Sequence, residues 1–119
     1  MLEGFASLVG KTVASLALNS NALSLVCGDG TKATIADQGH QCCERRYMRT
    51  DDDLSDLVGA ELRSAEIRDT VDLDDPDGES HQVQFLVLQT SKGDLTLANH
   101  NEHNGYYGGF DVELRIEQA

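Results

Sequence analysis

Residues 8–18 read LVGKTVASLAL and residues 57–67 read LVGAELRSAEI. Leu, Val and Gly coincide, Val13 falls opposite Leu62, Ser15 opposite Ser64 and Leu18 opposite Ile67, at an offset of 49 residues. Farther along, ALSLVCGDGTKATIADQ from Ala22 matches QFLVLQTSKGDLTLANH from Gln84 at an offset of 62, with Leu23 opposite Phe85, Leu25 opposite Val87, Thr34 opposite Thr96 and Ala36 opposite Ala98. The offsets differ by 13, the length of DTVDLDDPDGESH from Asp69 to His81, which contains the single proline and reads as a solvated loop. One insertion reconciles both matches, so the chain reads as one domain, residues 1–119, with an internal repeat over roughly 8–50 and 57–116.

Each repeat reads as a short helical turn followed by three strands. Alternation of period two is clearest over Val13 to Leu18, Leu23 to Cys27, Phe85 to Leu88 and Leu95 to Leu97. NSN at 19–21, GDG at 28–30 and SKGD at 91–94 are short enough to close hairpins. DDDLSDLVG from Asp51 puts acidic residues at a helix start and Gly59 at its stop, with FASLVG as its first-half counterpart. The terminal FDVELRIE alternates strictly, and RRYMRT from Arg45 is its weaker equivalent. The expected fold is β-rich α+β: antiparallel sheets from two pseudo-symmetric helix-β-β-β units, forming either a small sandwich or a partly open barrel.

Nine basic against 21 acidic residues give a net charge of −12, which disfavours direct nucleic-acid binding and favours basic partners. No apolar run reaches membrane-span length, and MLEGFASLVG lacks the basic start and apolar core of a signal peptide, so a cytoplasmic protein without membrane attachment is expected. Cys27 lies in an apolar run and Cys42 and Cys43 are neighbours, a distribution that does not make a disulfide framework.

Two polar stretches stand out. HQCCERRYM from His40 and HNEHNGYYGG from His100 each follow the third strand of their repeat, at equivalent corners. The candidate ligand or partner contacts are Cys42, Cys43, Glu44 and Arg45 in the first, and His103, Asn104, Tyr106 and Tyr107 in the second. A zinc site from His40, Cys42, Cys43 and a corner histidine is disfavoured because paired zinc cysteines are normally separated by two or more residues, and no metal or cofactor is expected. A cysteine- or metal-dependent hydrolase would need His40, Cys42, Cys43 and His103 to converge. LDDPDGE from Leu73 fails the EF-hand spacing, with Pro76 where an acid belongs. The candidate acidic surface comprises Asp51, Asp52, Asp53 and Asp56, then Asp72, Asp74, Asp75, Asp77 and Glu79.

The order of CCE (Cys42, Cys43, Glu44), the leader Leu54, Leu57 and Gly59, and NGYY (Asn104, Gly105, Tyr106, Tyr107) before an alternating terminal strand resembles an uncharacterised family of small phage and prophage proteins, over residues 8 to 116. The resemblance implies a β-rich phage accessory protein in the host cytoplasm and brings no established reaction. The expected function is therefore non-enzymatic: inhibition of a host factor, a counter-defence role of the anti-CRISPR kind, in which the acidic surface occludes a basic site on a host protein that handles nucleic acid. The alternative is a small-ligand or nucleotide sponge using the two corners. The edge of the terminal strand also offers pairing to a second copy, and so a homodimer.

Overall fold

The computed structural model describes residues 1–39, 45–74, 80–103 and 109–117. Its eight described strands are β1 (Val13–Leu18), β2 (Ala22–Cys27), β3 (Lys32–Asp37), β4 (Arg45–Arg49), β5 (Leu62–Asp74), β6 (Ser80–Thr90), β7 (Gly93–His103) and β8 (Val112–Glu117). They form two four-stranded antiparallel sheets, ordered β1-β2-β3-β8 and β4-β7-β6-β5, and the described strands close no barrel.

The expected helix-β-β-β units do not form. Each helical start is a four-residue 3-10 turn, Phe5–Leu8 or Leu54–Leu57, and each is followed by four strands. The sequence is too short for anything longer: Gly10 and Gly59 end the two segments with φ of 90° and 87°, a backbone region that glycine enters without strain. The fourth strand of each run then crosses over. Strand β4 pairs with β7 in the second sheet, while β8 pairs with β3 in the first.

At the start of the two runs, equivalent positions contact one another. Thr12 bridges Glu61, its counterpart at offset 49. Around this bridge the Gly10 N–H donates to Leu62 O (2.9 Å) and the Gly59 N–H to Val13 O (2.8 Å). Likewise Val13 N–H donates to Ala60 O (2.8 Å) and Leu62 N–H to Lys11 O (2.9 Å). A β-bulge follows Val13 in β1 and Leu62 in β5, again at matching positions. Such reciprocal contacts are what a local two-fold axis produces.

The core lies between the sheets, where Leu23, Leu25 and Ile35 of the first meet Leu62, Leu86, Leu88, Leu95 and Leu97 of the second. Phe5, Leu8 and Leu57 from the 3-10 turns join the same cluster. Alternation along each strand puts these residues inside and their neighbours outside.

The segment read as a solvated loop is mostly sheet. Strand β5 continues to Asp74 and β6 starts at Ser80, with Val71 paired to Val83 and Asp72 to Gln82. The alternating T-V-D-L-D outweighs the acidic composition because each residue adds a rung to a ladder already running. The insertion therefore lengthens a hairpin, and the Cα envelope measures 47 × 24 × 22 Å.

Candidate functional site: a strand pair with two working faces

Strands β4 and β7 carry RRYMR and, near the end of β7, NHNE. Because successive side chains point to opposite faces, Arg46 joins Asn99 and Asn101 on the inner side, while Arg45, Tyr47 and Arg49 join His100 and Glu102 on the outer side.

On the inner side Asp37, at the end of β3, has a fully buried carboxylate. Its Oδ2 accepts from Arg46 Nη1 (2.8 Å) and Asn99 Nδ2 (3.0 Å), and its Oδ1 from the N–H of Gly39 (2.9 Å) and of Asp111 (3.1 Å). Burial pushes this carboxyl up, but the Asn99, Gly39, Arg46 and Asp111 donors together outweigh it and hold it below the ordinary carboxylate range. Arg46 Nη1 also donates to Gly109 O (3.1 Å), as does Asn101 Nδ2 (3.0 Å), and the Gly109 N–H donates to Gln82 Oε1 (2.8 Å). Gly39 is required by close approach, since a Cβ there would overlap the Arg46 guanidinium.

Described residues of both polar stretches meet in this network: Arg46 of the first, and Asn101 and Gly109 of the second. Gly39, immediately before the first stretch, joins them through Asp37. Cys42, Cys43, Glu44, Asn104, Tyr106 and Tyr107 lie outside the described residues, as do His40, Asp75, Asp77 and Glu79 and the side chains of His103 and Asp74.

The outer face is aromatic and cationic. Tyr47 and His100, directly paired across β4 and β7, stack with centroids 4.6 Å apart and planes 8° from parallel. His81 of β6 tilts against His100 at 5.1 Å, with Nε2 and Nδ1 2.9 Å apart. The guanidinium carbons of Arg45 and Arg49 each lie 5.1 Å from the Tyr47 centroid. The Tyr47 hydroxyl donates a long hydrogen bond to Glu102 (3.4 Å), which Arg45 also approaches at 3.7 Å. Beside this cluster a cavity of about 410 Å³ is lined by Phe85, Ala98, Arg49, His100, Asp51 and Asp52.

Burial, together with the Glu102 carboxylate, raises the Tyr47 phenol, so it stays a hydrogen-bond donor at neutral pH. Burial, then His81 and Arg49, pushes His100 below the usual histidine value. A depressed histidine favours the native state while neutral. As pH falls below about 6.5 the unfolded chain takes up its proton first, and native stability declines until His100 itself protonates. A His100 ring-proton titration is therefore expected to have its midpoint below that of the urea-unfolded chain; a midpoint above it would contradict the stacked, desolvated ring.

Of the residues expected from sequence to make contacts, Arg45 is the one whose side chain is described, and it belongs to the outer cluster. Tyr47, Arg49 and His81 were not expected there, and His100 was singled out only as the start of the second polar stretch. The signal was available: R-x-Y-x-R places three like-facing groups on one strand, and H-x-E does the same on its neighbour. In the acidic surface, Asp51, Asp52, Asp53, Asp56 and Asp72 are all exposed. Three of them also make hydrogen bonds: Asp52 Oδ2 accepts from the Thr96 N–H (2.9 Å), and Asp53 caps the second 3-10 turn by accepting from the Ser55 N–H (3.0 Å). Asp72 Oδ1 accepts from Gln82 Nε2 (3.2 Å). Among the described residues no three His, Cys, Asp or Glu side chains are grouped to hold a metal ion, and no helix is long and apolar enough to cross a membrane.

Two four-stranded antiparallel sheets that exchange their fourth strands, with a polar junction where they do so, define the class of this chain. The chain belongs to the family DUF7448, a domain of unknown function, whose model matches residues 6–112. Comparison with curated proteins and with solved structures finds no match.

Proposed function

We propose that this chain is a non-enzymatic accessory protein of phage or prophage origin, acting in the host cytoplasm, which binds and inhibits a host factor in the manner of a counter-defence protein. The target class is a protein with a basic nucleic-acid site, which the acidic surface occupies in place of the polyanion. What supports this is the net charge of −12 together with an acidic corner whose geometry is set in advance: Asp52 and Asp53 are fixed by backbone N–H groups, and Asp51 and Asp56 project beside them. The repeated units read as copies of one ancestral segment, consistent with their reciprocal hydrogen bonds.

The test pairs a charge change with a competition. Immobilised chain exposed to host lysate should retain proteins that double-stranded DNA displaces and that salt elutes, and the double variant Asp51→Asn, Asp56→Asn should release them at lower salt. Because neither carboxylate is needed for the turn, the variant's melting temperature should match that of the parent. Retention that is indifferent to DNA, and unchanged in the double variant, would remove the acidic-decoy reading.

A second reading is favoured by one observation, the convergence of Arg45 and Arg49 on the Tyr47 ring beside a cavity. Under it the chain sequesters a small ligand, and the two sequence corners border the site.

A further inference from the structure

The outer face of the second sheet is hard to account for by folding alone. The chain has 21 acidic residues against nine basic ones, so carboxylate partners are plentiful. Yet Arg49 makes no ion pair among the described residues, and Arg45, with 72% of its side chain exposed, reaches Glu102 only at 3.7 Å. Instead both guanidinium groups lie 5.1 Å from the centre of the same ring. Arg45 and Arg49 flank Tyr47 on the same face of β4, so one anion lying over that ring is within reach of both. The planar guanidinium fork is suited to phosphate and carboxylate oxygens.

The surroundings narrow the anion. Tyr47, His100 and His81 form one continuous run of rings across three strands, rigid because each is held by its neighbour. Arg49 belongs both to this cluster and to the cavity of about 410 Å³, whose lining includes Phe85 and Ala98. That volume falls at the small end of known ligand sites. Phe85 and Ala98 make part of the lining apolar, His100 adds a ring, and Asp51 supplies an acceptor for exocyclic amino groups, while Asp52 Oδ2 accepts from the Thr96 N–H. Arg49 in the lining, with Arg45 on the other flank of Tyr47, suits a phosphate joined to a planar heterocycle that enters the recess.

We propose that this face binds a phosphorylated planar group of the nucleoside monophosphate type, with Arg45 and Arg49 on the phosphate and the heterocycle against Phe85, Ala98 and His100. The proposal rests on the second reading above and names its ligand class. The same chemistry is offered by a free mononucleotide and by the 5′-phosphate end of an oligonucleotide.

The experiment is an NMR titration of the full chain, following the Tyr47, His81 and His100 ring resonances, with four probes: adenosine monophosphate, adenosine, inorganic phosphate and a 5′-phosphorylated oligonucleotide. Saturable shifts with the monophosphate, at concentrations at least about tenfold below those needed for adenosine or phosphate, support the proposal. Arg49→Gln and Arg45→Gln should each weaken monophosphate binding by about tenfold or more, with Arg49→Lys intermediate. Both residues are exposed, so the variants should keep the parent's dispersed spectrum. If the oligonucleotide binds no tighter than the monophosphate, the ligand is the free nucleotide; if it binds tighter, the ligand is a strand end. Equal affinity for phosphate and monophosphate would overturn the nucleotide assignment while leaving a small-anion site. No saturable shift with any probe up to about 10 mM would remove the small-ligand reading as well.

Discussion

Replacing Asp37 by alanine is expected to destabilise the chain by about 3–5 kcal/mol, because it removes one member of a largely buried ion pair with Arg46. Arg46 is 11% exposed and Asp37 fully buried at the side chain, so water cannot substitute for the lost partner. Two backbone donors, on Gly39 and Asp111, lose their acceptor at the same time. For a domain of this size the loss corresponds to a fall in melting temperature of roughly 10–20 °C. Replacing both members, Asp37→Leu with Arg46→Met, should recover part of the loss but not all, since the two N–H groups stay unsatisfied. The pH dependence has a definite sign. Asp37 is held below the ordinary carboxylate value, so its contribution is present above about pH 4 and is lost as pH falls through the native value. Urea unfolding of parent and Asp37→Ala chains should therefore differ fully at pH 7 and converge on acidification; an equal gap at both ends of that range would refute the assignment.

The second expected result concerns the crossed strands. Segments 1–50 and 51–119, expressed separately, should each fail to fold, whereas together they should form a stable one-to-one complex. The first segment retains β1-β2-β3 but its β4 belongs beside β7, and the second retains β5-β6-β7 but its β8 belongs beside β3. Each alone lacks one sheet edge and exposes half the shared core, including Leu23, Leu25 and Ile35 on one side or Leu86, Leu88, Leu95 and Leu97 on the other. Circular dichroism of the separate and mixed segments, with gel filtration of the mixture, decides the matter. A second segment that folds alone with a cooperative melt would show that strand exchange is dispensable.

Much of this architecture was legible in the residues. The matched LVG segments predict matched 3-10 turns and first strands, and the structure begins β1 at Val13 and β5 at Leu62, one repeat offset apart. Alternation located β1, β2, β6, β7 and β8 because a half-buried strand must alternate. It could not say which sheet a fourth strand joins, since RRYMR and VELRIE would alternate in the same way in either. The β5–β6 extension was misread because acidic residues and Pro76 signal a loop, while the gain from extending a ladder depends on a partner strand that local sequence does not display. At the site, the offset of 62 makes Asp37 and Asn99 equivalents, but only the fold shows that these equivalents bond to each other. The outer cluster needed three strands in register before Tyr47, His100 and His81 became neighbours.

The pairing of β3 with β8, which sets Lys32 against Glu117, also governs the order in which the molecule can be made. The first sheet stays incomplete until residues 112–117 have left the ribosome, although its other three strands are among the earliest synthesised. Closing so long a stretch of chain slows folding, since non-local pairing must wait for its loop entropy to be met. During that interval β3 presents an unpaired edge and its apolar face to the cell, so the rate of synthesis, as well as the final stability, will decide how much of the chain reaches its native form.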